Sequence, residues 1–216
     1  MASPAHLLAE VRREAIGCTR CPLYLLGTQT VFGEGPAPAA VMLVGEQPGD
    51  REDREGRPFV GPAGELLDRA LLAAGVERKA VYVTNAVKHF KNEPRGKRRI
   101  HKRPNTSEID RCKWWLDLEL QIVKPKLVVA LGATAARSLV GRPVKVQDAR
   151  GRMFDFGHGR FLLVTVHPSL LLRIPDQAQR LREFQRFVGD LGALTDLAPA
   201  ASSVRAARAL AAGGTA

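Results

Sequence analysis

The three cysteines of this 216-residue chain are spaced for metal binding rather than for a disulfide framework. Cys18 and Cys21 enclose a Cys-Thr-Arg-Cys-Pro turn, and Cys112 follows far along the chain. Iron–sulfur clusters take four ligands, usually thiolates, and tetrahedral zinc accepts three cysteines and one histidine. With His89, the cysteines form a candidate metal site, and the residue types leave iron, zinc and simple burial of the thiols open.

Acidic side chains follow the first apolar run of the sequence. Gly45-Glu46-Gln47-Pro48-Gly49-Asp50, together with Asp53, groups three carboxylates around two glycines. Glycine lets a ligand approach the backbone, and carboxylates can position a base or stabilise a cationic transition state. Glu46, Asp50 and Asp53 are therefore candidate catalytic residues, with an ordinary acidic turn as the alternative.

Three other side chains could recognise a nucleobase. Asn85 ends an apolar run and can both donate and accept, which suits the Watson–Crick edge of a pyrimidine. Phe59 could stack on a base, and His167, before Pro168, could donate to a leaving group or a phosphate. Their structural alternatives are a turn former, a core phenylalanine and a hydrogen-bonded histidine.

Positive charge is concentrated in one segment. Residues 88–103 hold eight Lys or Arg residues against one Glu, so +7 of the net charge of +11 lies there. Such a surface binds a phosphate backbone in a salt-dependent way, although a solvated basic loop is the alternative. The charge therefore favours a nucleic-acid partner.

Four short apolar runs predict the strands of a parallel sheet, at residues 40–44, 80–85, 127–131 and 161–166. Helical patterns occur at 4–16, 62–74, 107–123, 133–140 and 175–194. The alternation predicts an α/β protein, a three-layer α/β/α sandwich around a central four-stranded parallel sheet. Because ligands bind beyond the carboxyl ends of such strands, the polar blocks after the strands should meet.

Length and composition fit one globular domain. We expect it to span residues 1–194, followed by an Ala/Gly-rich tail at 195–216 that is predicted to be mobile. No apolar run approaches the roughly 18 residues of a membrane span, and no secretion signal is recognisable, which predicts a cytoplasmic protein without a membrane partner. A doubly wound nucleotide-binding protein is disfavoured because Gly-x-Gly-x-x-Gly is missing after the first strand.

Taken together, these blocks resemble the iron–sulfur (family four) uracil-DNA glycosylases. The resemblance covers about residues 16–186 and rests on Cys-Thr-Arg-Cys-Pro at 18–22, Val-Phe-Gly-Glu-Gly at 31–35, Gly-Glu-Gln-Pro-Gly at 45–49, Gly-Arg-Pro-Phe-Val-Gly at 56–61, Val-Thr-Asn at 83–85, Pro-Lys at 125–126 and His-Pro-Ser at 167–169. It implies a four-iron cluster (4Fe-4S), uracil held by Asn85 and stacked on Phe59, and His167 near the departing base.

Two departures from that family point to a subgroup. His89 and Gln47 replace the cysteine and alanine that the broader family usually carries, and Lys-Arg-Arg-Ile-His at 97–101 is inserted in the basic loop. With Gly-Glu-Gln-Pro-Gly, this block resembles the X-type uracil-DNA glycosylases, in which its histidine bonds covalently to the sugar. The resemblance implies that His89 completes the cluster ligands and that Gln47 contacts uracil.

For the chemistry, we expect His101 to attack C1′ of the deoxyribose while Glu46 orients or deprotonates it. Asp50 and Asp53 would position the site and stabilise positive charge, and Arg99 would also keep the loop closed. Uracil-containing DNA, with single strands favoured or tolerated, is the implied partner of a monomer. The expected DNA contacts are Lys97, Arg98, Arg99, Lys102, Arg103, Ser169 and Arg173.

Two other functions compete with this reading. An ordinary turnover glycosylase would use water as the nucleophile, and His101 would only contact phosphate. A noncatalytic DNA-binding module would use the metal to staple its basic loop. The first predicts free abasic DNA, and the second predicts binding that is indifferent to uracil.

Overall fold

The computed structural model describes residues 2–198. Its helices are α1 (Pro4–Ile16), α2 (Asp50–Glu55), α3 (Pro62–Ala74), α4 (Thr106–Val123), α5 (Ala133–Val140), α6 (Val146–Ala149), α7 (Pro168–Leu172) and α8 (Gln177–Leu191). Its strands are β1 (Val41–Gly45), β2 (Tyr82–Asn85), β3 (Asn92–Arg95), β4 (Arg98–His101), β5 (Leu127–Leu131), β6 (Met153–Asp155) and β7 (Phe161–Thr165). Most of the predicted tail, residues 199–216, lies outside the described residues.

A sheet with the strand order β2-β1-β5-β7-β6 forms the centre of the fold. β2, β1, β5 and β7 run parallel, in agreement with the four apolar runs. The predicted four-stranded parallel sheet needs one correction, because β6 adds a fifth strand antiparallel to β7. Its Met-Phe-Asp sequence is short and partly exposed, as edge strands often are, so no apolar run marks it.

The sheet sends its side chains into two separate cores. Met42 and Val44 pack into a cluster with residues of α4 and α5, whereas Val41 and Leu43 pack into a cluster with residues of α3 and α8. Successive strand residues point to opposite faces, so a strand buried on both faces needs helices on both sides. This arrangement confirms the predicted three-layer α/β/α sandwich. In the described part of the chain, no helix combines the length and apolar character that crossing a bilayer requires.

Two segments that were expected to be a turn and a loop are regular structure. The acidic segment after β1 forms α2, and residues 92–101 of the basic segment form the antiparallel β3–β4 hairpin. Gly96 in its turn has a φ of 60°, a left-handed conformation that glycine adopts without strain. Neither segment has the apolar periodicity from which helices and strands are recognised.

The order of the strands reverses next to β1. β1 pairs with β2 on one side and with β5 on the other, so chain connections leave it in opposite directions. Ligands of open α/β sheets bind in the crevice at such a point, beyond the carboxyl ends of the strands. Glu46 follows β1 and Thr134 follows β5, which places both residues at this crevice.

Gly64, in the first turns of α3, packs directly on the backbone of Phe59. A Cβ at position 64 would lie 1.9 Å from the carbonyl oxygen of Phe59, which itself has a left-handed φ of 56°. Backbone cannot rotate away as a side chain can, so Gly64→Ala should displace Phe59. We expect the free energy of unfolding to fall by about 1–3 kcal/mol, measured by chemical denaturation.

Gly189→Ala on α8 is the matched control, since no atom lies within 4 Å of a Cβ at that position. There, alanine should raise the free energy of unfolding by about 0.5–1 kcal/mol, because glycine is a poor helix former. A Gly64→Ala protein as stable as the wild type would contradict the close packing of α3 on Phe59.

Candidate active site

The carboxyl ends of four parallel strands bring the candidate residues to one edge of the sheet. Asn85 ends β2, Glu46 follows β1 and His167 follows β7. Thr134 lies at the start of α5, just after β5, and its hydroxyl donates to the Glu46 carboxylate. This hydrogen bond spans the crevice where the strand order reverses.

Asn85 and Phe59 pack closely against the backbone of Gly45. A Cβ at this position would lie 2.3 Å from Asn85 Oδ1 and 2.5 Å from the Phe59 ring, so only glycine leaves room for both. The Phe59 ring in turn lies 6.0 Å from the His167 ring, centre to centre. Asn85 Oδ1 is buried and accepts no hydrogen bond from the described residues. A buried acceptor without a hydrogen bond costs free energy, so a ligand that donates a hydrogen bond to Asn85 Oδ1 would be favoured.

His167 is held as a neutral hydrogen-bond donor. The backbone N–H of Ser169 donates to His167 Nδ1 at 3.2 Å, so the proton of the neutral ring lies on Nε2. Burial lowers the pKa of His167 to about 4, although the nearby Glu46 carboxylate acts in the opposite direction. At neutral pH the ring therefore offers Nε2–H without carrying a charge.

Glu46, which directly follows Gly45, contacts His101 of the hairpin. His101 Nε2 lies 3.4 Å from Glu46 Oε1, with 42% of the His101 side chain exposed. Burial tends to raise the pKa of Glu46, but hydrogen bonds from His101 and Thr134 outweigh it and lower the pKa to about 2. Glu46 is therefore an anion across the physiological pH range, next to the His101 ring.

Arg99 fastens the β3–β4 hairpin to α2. Its Nε lies 2.5 Å from Asp50 Oδ1 and its Nη1 lies 2.6 Å from Asp53 Oδ2. Asp53 is fully buried and also accepts the N–H of Thr28 at 2.9 Å. Alternate residues of a strand share a face, so the ion pairs of Arg99 also place the His101 side chain on the face of β4 that packs against the protein. In the structure, Asp50 and Asp53 contact the hairpin through Arg99 rather than the His101 ring.

Phe90 lies beneath the inward face of the hairpin. Arg99 Cζ lies 5.3 Å from the centre of the Phe90 ring, and the His101 ring lies 6.2 Å from it. The sequence interpretation missed Phe90 and Thr134. The available signals were the position of Phe90 as the one aromatic residue within the basic segment and the position of Thr134 after a predicted strand end.

Gln47 holds the base of the hairpin. Its Nε2 donates to the carbonyls of Lys91 and Lys102 at 3.2 and 3.1 Å, and its Oε1 accepts the N–H of Lys91 at 3.2 Å. Lys91 and Lys102 flank the two hairpin strands, so a single amide closes the loop that ends in His101. The Gln47 amide nitrogen is thus engaged within the hairpin base rather than left free for a ligand.

The other candidate DNA contacts lie in or next to the hairpin and α7. Lys97 and Arg98 are exposed at the hairpin tip, and Arg173 is exposed after α7. Lys102 pairs with Glu93 at 2.5 Å, and Arg103 lies 3.6 Å from Glu46. Ser169 contacts His167, with Oγ 2.9 Å from Nδ1. The exposed cations could meet phosphate, whereas Arg99 and Ser169 are engaged within the protein.

The three thiols lie together in the core beside α4. Cys18, Cys21 and Cys112 are free, buried and part of one cluster. Burial raises the pKa of Cys112 to about 12, and the proximity of Cys18 and Cys21 acts in the same direction. Trp115 Nε1–H donates to Cys18 Sγ and the Lys88 N–H donates to Cys112 Sγ, both at 3.1 Å. Hydrogen bonds of this kind tune thiolates that hold a metal cluster.

His89 directly follows Lys88 in the chain and is also buried. Its hydrogen bonds determine its tautomer. The Thr30 hydroxyl donates to the Ala15 carbonyl at 2.8 Å, so it accepts from His89 Nε2–H at 3.0 Å. Nδ1 therefore keeps its lone pair, as a metal ligand requires. Within residues 2–198, no group of three or more His, Cys, Asp or Glu side chains is tight enough to hold a single metal ion.

An amide, an aromatic ring and a neutral imidazole, together at the carboxyl edge of an α/β/α sandwich, can hydrogen-bond to and stack on a nucleobase. A model of the uracil DNA glycosylase superfamily matches residues 32–192. The chain belongs to this superfamily.

The chain is 39% identical over 184 residues to the Type-4 uracil-DNA glycosylase of Thermotoga maritima, covering 85% of this chain and 90% of that protein. It is also 39% identical over 168 residues to the Type-4 enzyme of Pyrobaculum aerophilum, covering 73% and 81%. The Type-5 uracil-DNA glycosylase of Pyrobaculum aerophilum is 31% identical over 192 residues, covering 72% and 80%.

Gln47→Ala should loosen the hairpin, because it removes three hydrogen bonds from the hairpin base. The free energy of local opening should fall by about 1–3 kcal/mol, so the amides of residues 91–102 should exchange roughly ten times faster or more. Hydrogen exchange followed by mass spectrometry measures this. Gln147→Ala, at an exposed residue of α6, should leave these amides unchanged. Unchanged hairpin exchange in Gln47→Ala, with weaker uracil binding, would instead make Gln47 a base contact.

Proposed function

We propose that the protein excises uracil from DNA and then bonds its own His101 to C1′ of the abasic deoxyribose, as in the X-type uracil-DNA glycosylases. The observation that carries this proposal is the contact between His101 and Glu46, the residue after Gly45. The hairpin that bears His101 is held there by Arg99 and Gln47. Uracil release itself is also supported by the relatives named Type-4 uracil-DNA glycosylases.

Uracil is recognised by Asn85 and Phe59, which lie beside Gly45. Asn85 Oδ1, which has no hydrogen-bond partner within residues 2–198, accepts the N3–H of uracil, and its Nδ2 donates to O4. The Phe59 ring stacks on the flipped base. Cytosine has a bare N3 and an amino group at C4, so both contacts would be mismatched.

Excision breaks the bond between C1′ and N1 of uracil, and the electron pair leaves with the base. Negative charge then spreads over the uracil carbonyls, where the neutral His167 ring can donate Nε2–H. The sugar becomes a cation, which the anionic Glu46 stabilises from the side of the hairpin. Asp50 and Asp53 act at a distance, by holding the hairpin through Arg99.

Capture then joins the sugar cation to the protein. A lone pair of the His101 imidazole forms a bond to C1′ of this cation, the ring takes up the positive charge, and the uracil anion that has already left gains a proton from water. Glu46 has a pKa of about 2, so it orients and stabilises the charged ring rather than removing its proton. The closed hairpin fills the place from which water would attack.

DNA is held by the exposed cations in or next to the hairpin and α7. We assign phosphate contacts to Lys97 and Arg98 at the hairpin tip, Lys102 and Arg103 after it, and Arg173 after α7. Arg99 and Ser169, which we also expected at phosphates, support His101 and His167 instead. Flipping is easiest from a single strand, because no pairing is lost.

A four-iron cluster fits the thiol site. Cys18, Cys21 and Cys112 supply three thiolates with N–H donors in place, and His89 offers Nδ1 as the fourth ligand. Zinc accepts the same set of three cysteines and one histidine, so it is the alternative that metal analysis must exclude. Such a cluster would link the Cys18–Cys21 turn to Cys112 of α4 and to His89, four residues after β2.

A labelled oligonucleotide with one uracil tests the reaction. After mixing with protein, a denaturing gel should show a slow band that survives heat and detergent, and a thymine control should show none. Release of uracil without that band would leave an ordinary turnover glycosylase and make His101 a phosphate contact. The absence of both would favour a noncatalytic DNA-binding module.

His101→Ser should abolish the slow band, because serine offers no imidazole, while uracil release persists with water as the nucleophile. Single-turnover assays of adduct and of free uracil separate the two steps. His158→Asn is the matched control, since His158 is exposed ahead of β7, at the opposite edge of the sheet. A covalent adduct in His101→Ser would refute the nucleophile assignment.

Metal analysis tests the ligand set. Purified protein should be brown, absorb broadly in the visible range and contain iron and acid-labile sulfide. His89→Ala should lose iron, His89→Cys should keep it, and His6→Ala, at an exposed residue of α1, should match the wild type. Colourless protein with one zinc per chain would overturn the iron assignment.

A further inference from the structure

A fully buried ion pair lies between the thiol site and Asn85. Lys88 Nζ lies 2.5 Å from Glu119 Oε2, and both side chains are 0% exposed. The cost of desolvating two charges largely offsets their attraction, so apolar residues of similar size would stabilise the fold as well. The pair therefore calls for an explanation other than stability.

Lys88 touches both neighbouring sites. Its N–H donates to Cys112 Sγ at 3.1 Å, and its ammonium donates to the Asn85 carbonyl at 2.8 Å. The second contact closes the turn from 85 to 88 on itself. The ammonium also donates to Thr84 Oγ1 at 2.6 Å, so the end of β2 is held by the same charge.

The Glu119 carboxylate accepts hydrogen bonds from several surrounding segments. Its Oε1 accepts from Tyr82 OH, Thr84 Oγ1 and the N–H of Gly33 at 2.9 to 3.0 Å. Glu119 lies on α4, seven residues after Cys112, which puts both on the same face two turns apart. The helix that carries a thiol is thereby fixed to the strand that ends in Asn85.

The same turn reaches the rest of the active site. The N–H of Ala86 donates to the Gly45 carbonyl at 2.9 Å, and the N–H of Val87 donates to the Glu46 carbonyl at 3.0 Å. A displacement of the turn would therefore move Asn85 and the backbone of Gly45 and Glu46 together.

We propose that the buried Lys88–Glu119 pair is a positioning device, which fixes the turn from 85 to 88 and thereby orients the Asn85 amide toward uracil. Lys88 and Glu119 are positioning residues and do not touch the base. The inference rests on the proposed recognition of uracil by Asn85. It predicts energetic coupling between the pair and Asn85.

A double-mutant cycle tests that coupling. Lys88→Met with Glu119→Gln removes both charges together, so no ion is left buried alone. Single-turnover uracil release, normalised to the folded fraction, is compared with and without Asn85→Ala. The neutral pair should slow release about tenfold or more, and Asn85→Ala should then cost at least about tenfold less than it costs in the wild type.

Arg137→Met is the matched control. Arg137 of α5 pairs at 2.8 Å with Asp110, which lies on α4 as Glu119 does. Unlike Glu119, Asp110 is exposed. In this background Asn85→Ala should have its full effect. Additive effects of the neutral pair and Asn85→Ala would overturn the proposal, because a purely structural loss does not depend on the residue at 85.

Hydrogen exchange provides a readout that does not depend on activity. The amides of Ala86 and Val87 should exchange faster in the neutral-pair protein, and unchanged exchange would overturn the proposal. If the neutral pair does not fold, Thr84→Val removes one hydroxyl from the network and takes its place in both experiments. A wild-type protein that releases no uracil would refute the proposed function, while the exchange experiment would still decide the role of the pair.

Discussion

Buried and half-buried carboxylates require partners, and three of them, Asp53, Glu119 and Glu46, draw together segments that are distant in the chain. An unpaired charge in the interior costs several kcal/mol, so the fold is complete only when the donors have arrived. Asp53 takes Arg99 from the hairpin and the N–H of Thr28. Glu119 takes Lys88 and the end of β2. Glu46, at the crevice between β1 and β5, takes Thr134 and His101. The charges thus place the loops that the apolar core leaves undetermined.

The core is the part of the fold that the sequence predicts well. Strands buried on both faces are continuous apolar runs, and the helices at 4–16, 62–74 and 133–140 have an apolar stripe and a clear start or stop. β6 was not predicted, because a short edge strand needs no apolar run. α2 and the β3–β4 hairpin were not predicted either, since ion pairs rather than apolar contacts hold them.

The same distinction applies to the site. The convergence of Glu46, Asn85 and His167 could be anticipated, because parallel strands end at one edge. The partners of Gln47 and Arg99 could not, because a residue type does not reveal which distant carbonyl or carboxylate it will meet. The sequence also suggested a role in chemistry for Asp50 and Asp53, whereas the structure shows them bound to Arg99.

His167 and His101 have the same side chain but different surroundings, which suit them to different roles. His167 is enclosed, its pKa is lowered to about 4, and the Ser169 N–H occupies Nδ1. It can therefore donate one proton to a leaving base but cannot attack carbon with the other nitrogen. His101 lies on an exposed hairpin strand, beside a carboxylate that remains charged down to a pH of about 2. A positive charge that develops on the His101 ring would be stabilised, whereas the same charge on His167 would be penalised by burial. In the proposed reaction, the proton donor and the nucleophile are thus distinguished by burial and by the Glu46 anion at the switch point of the sheet.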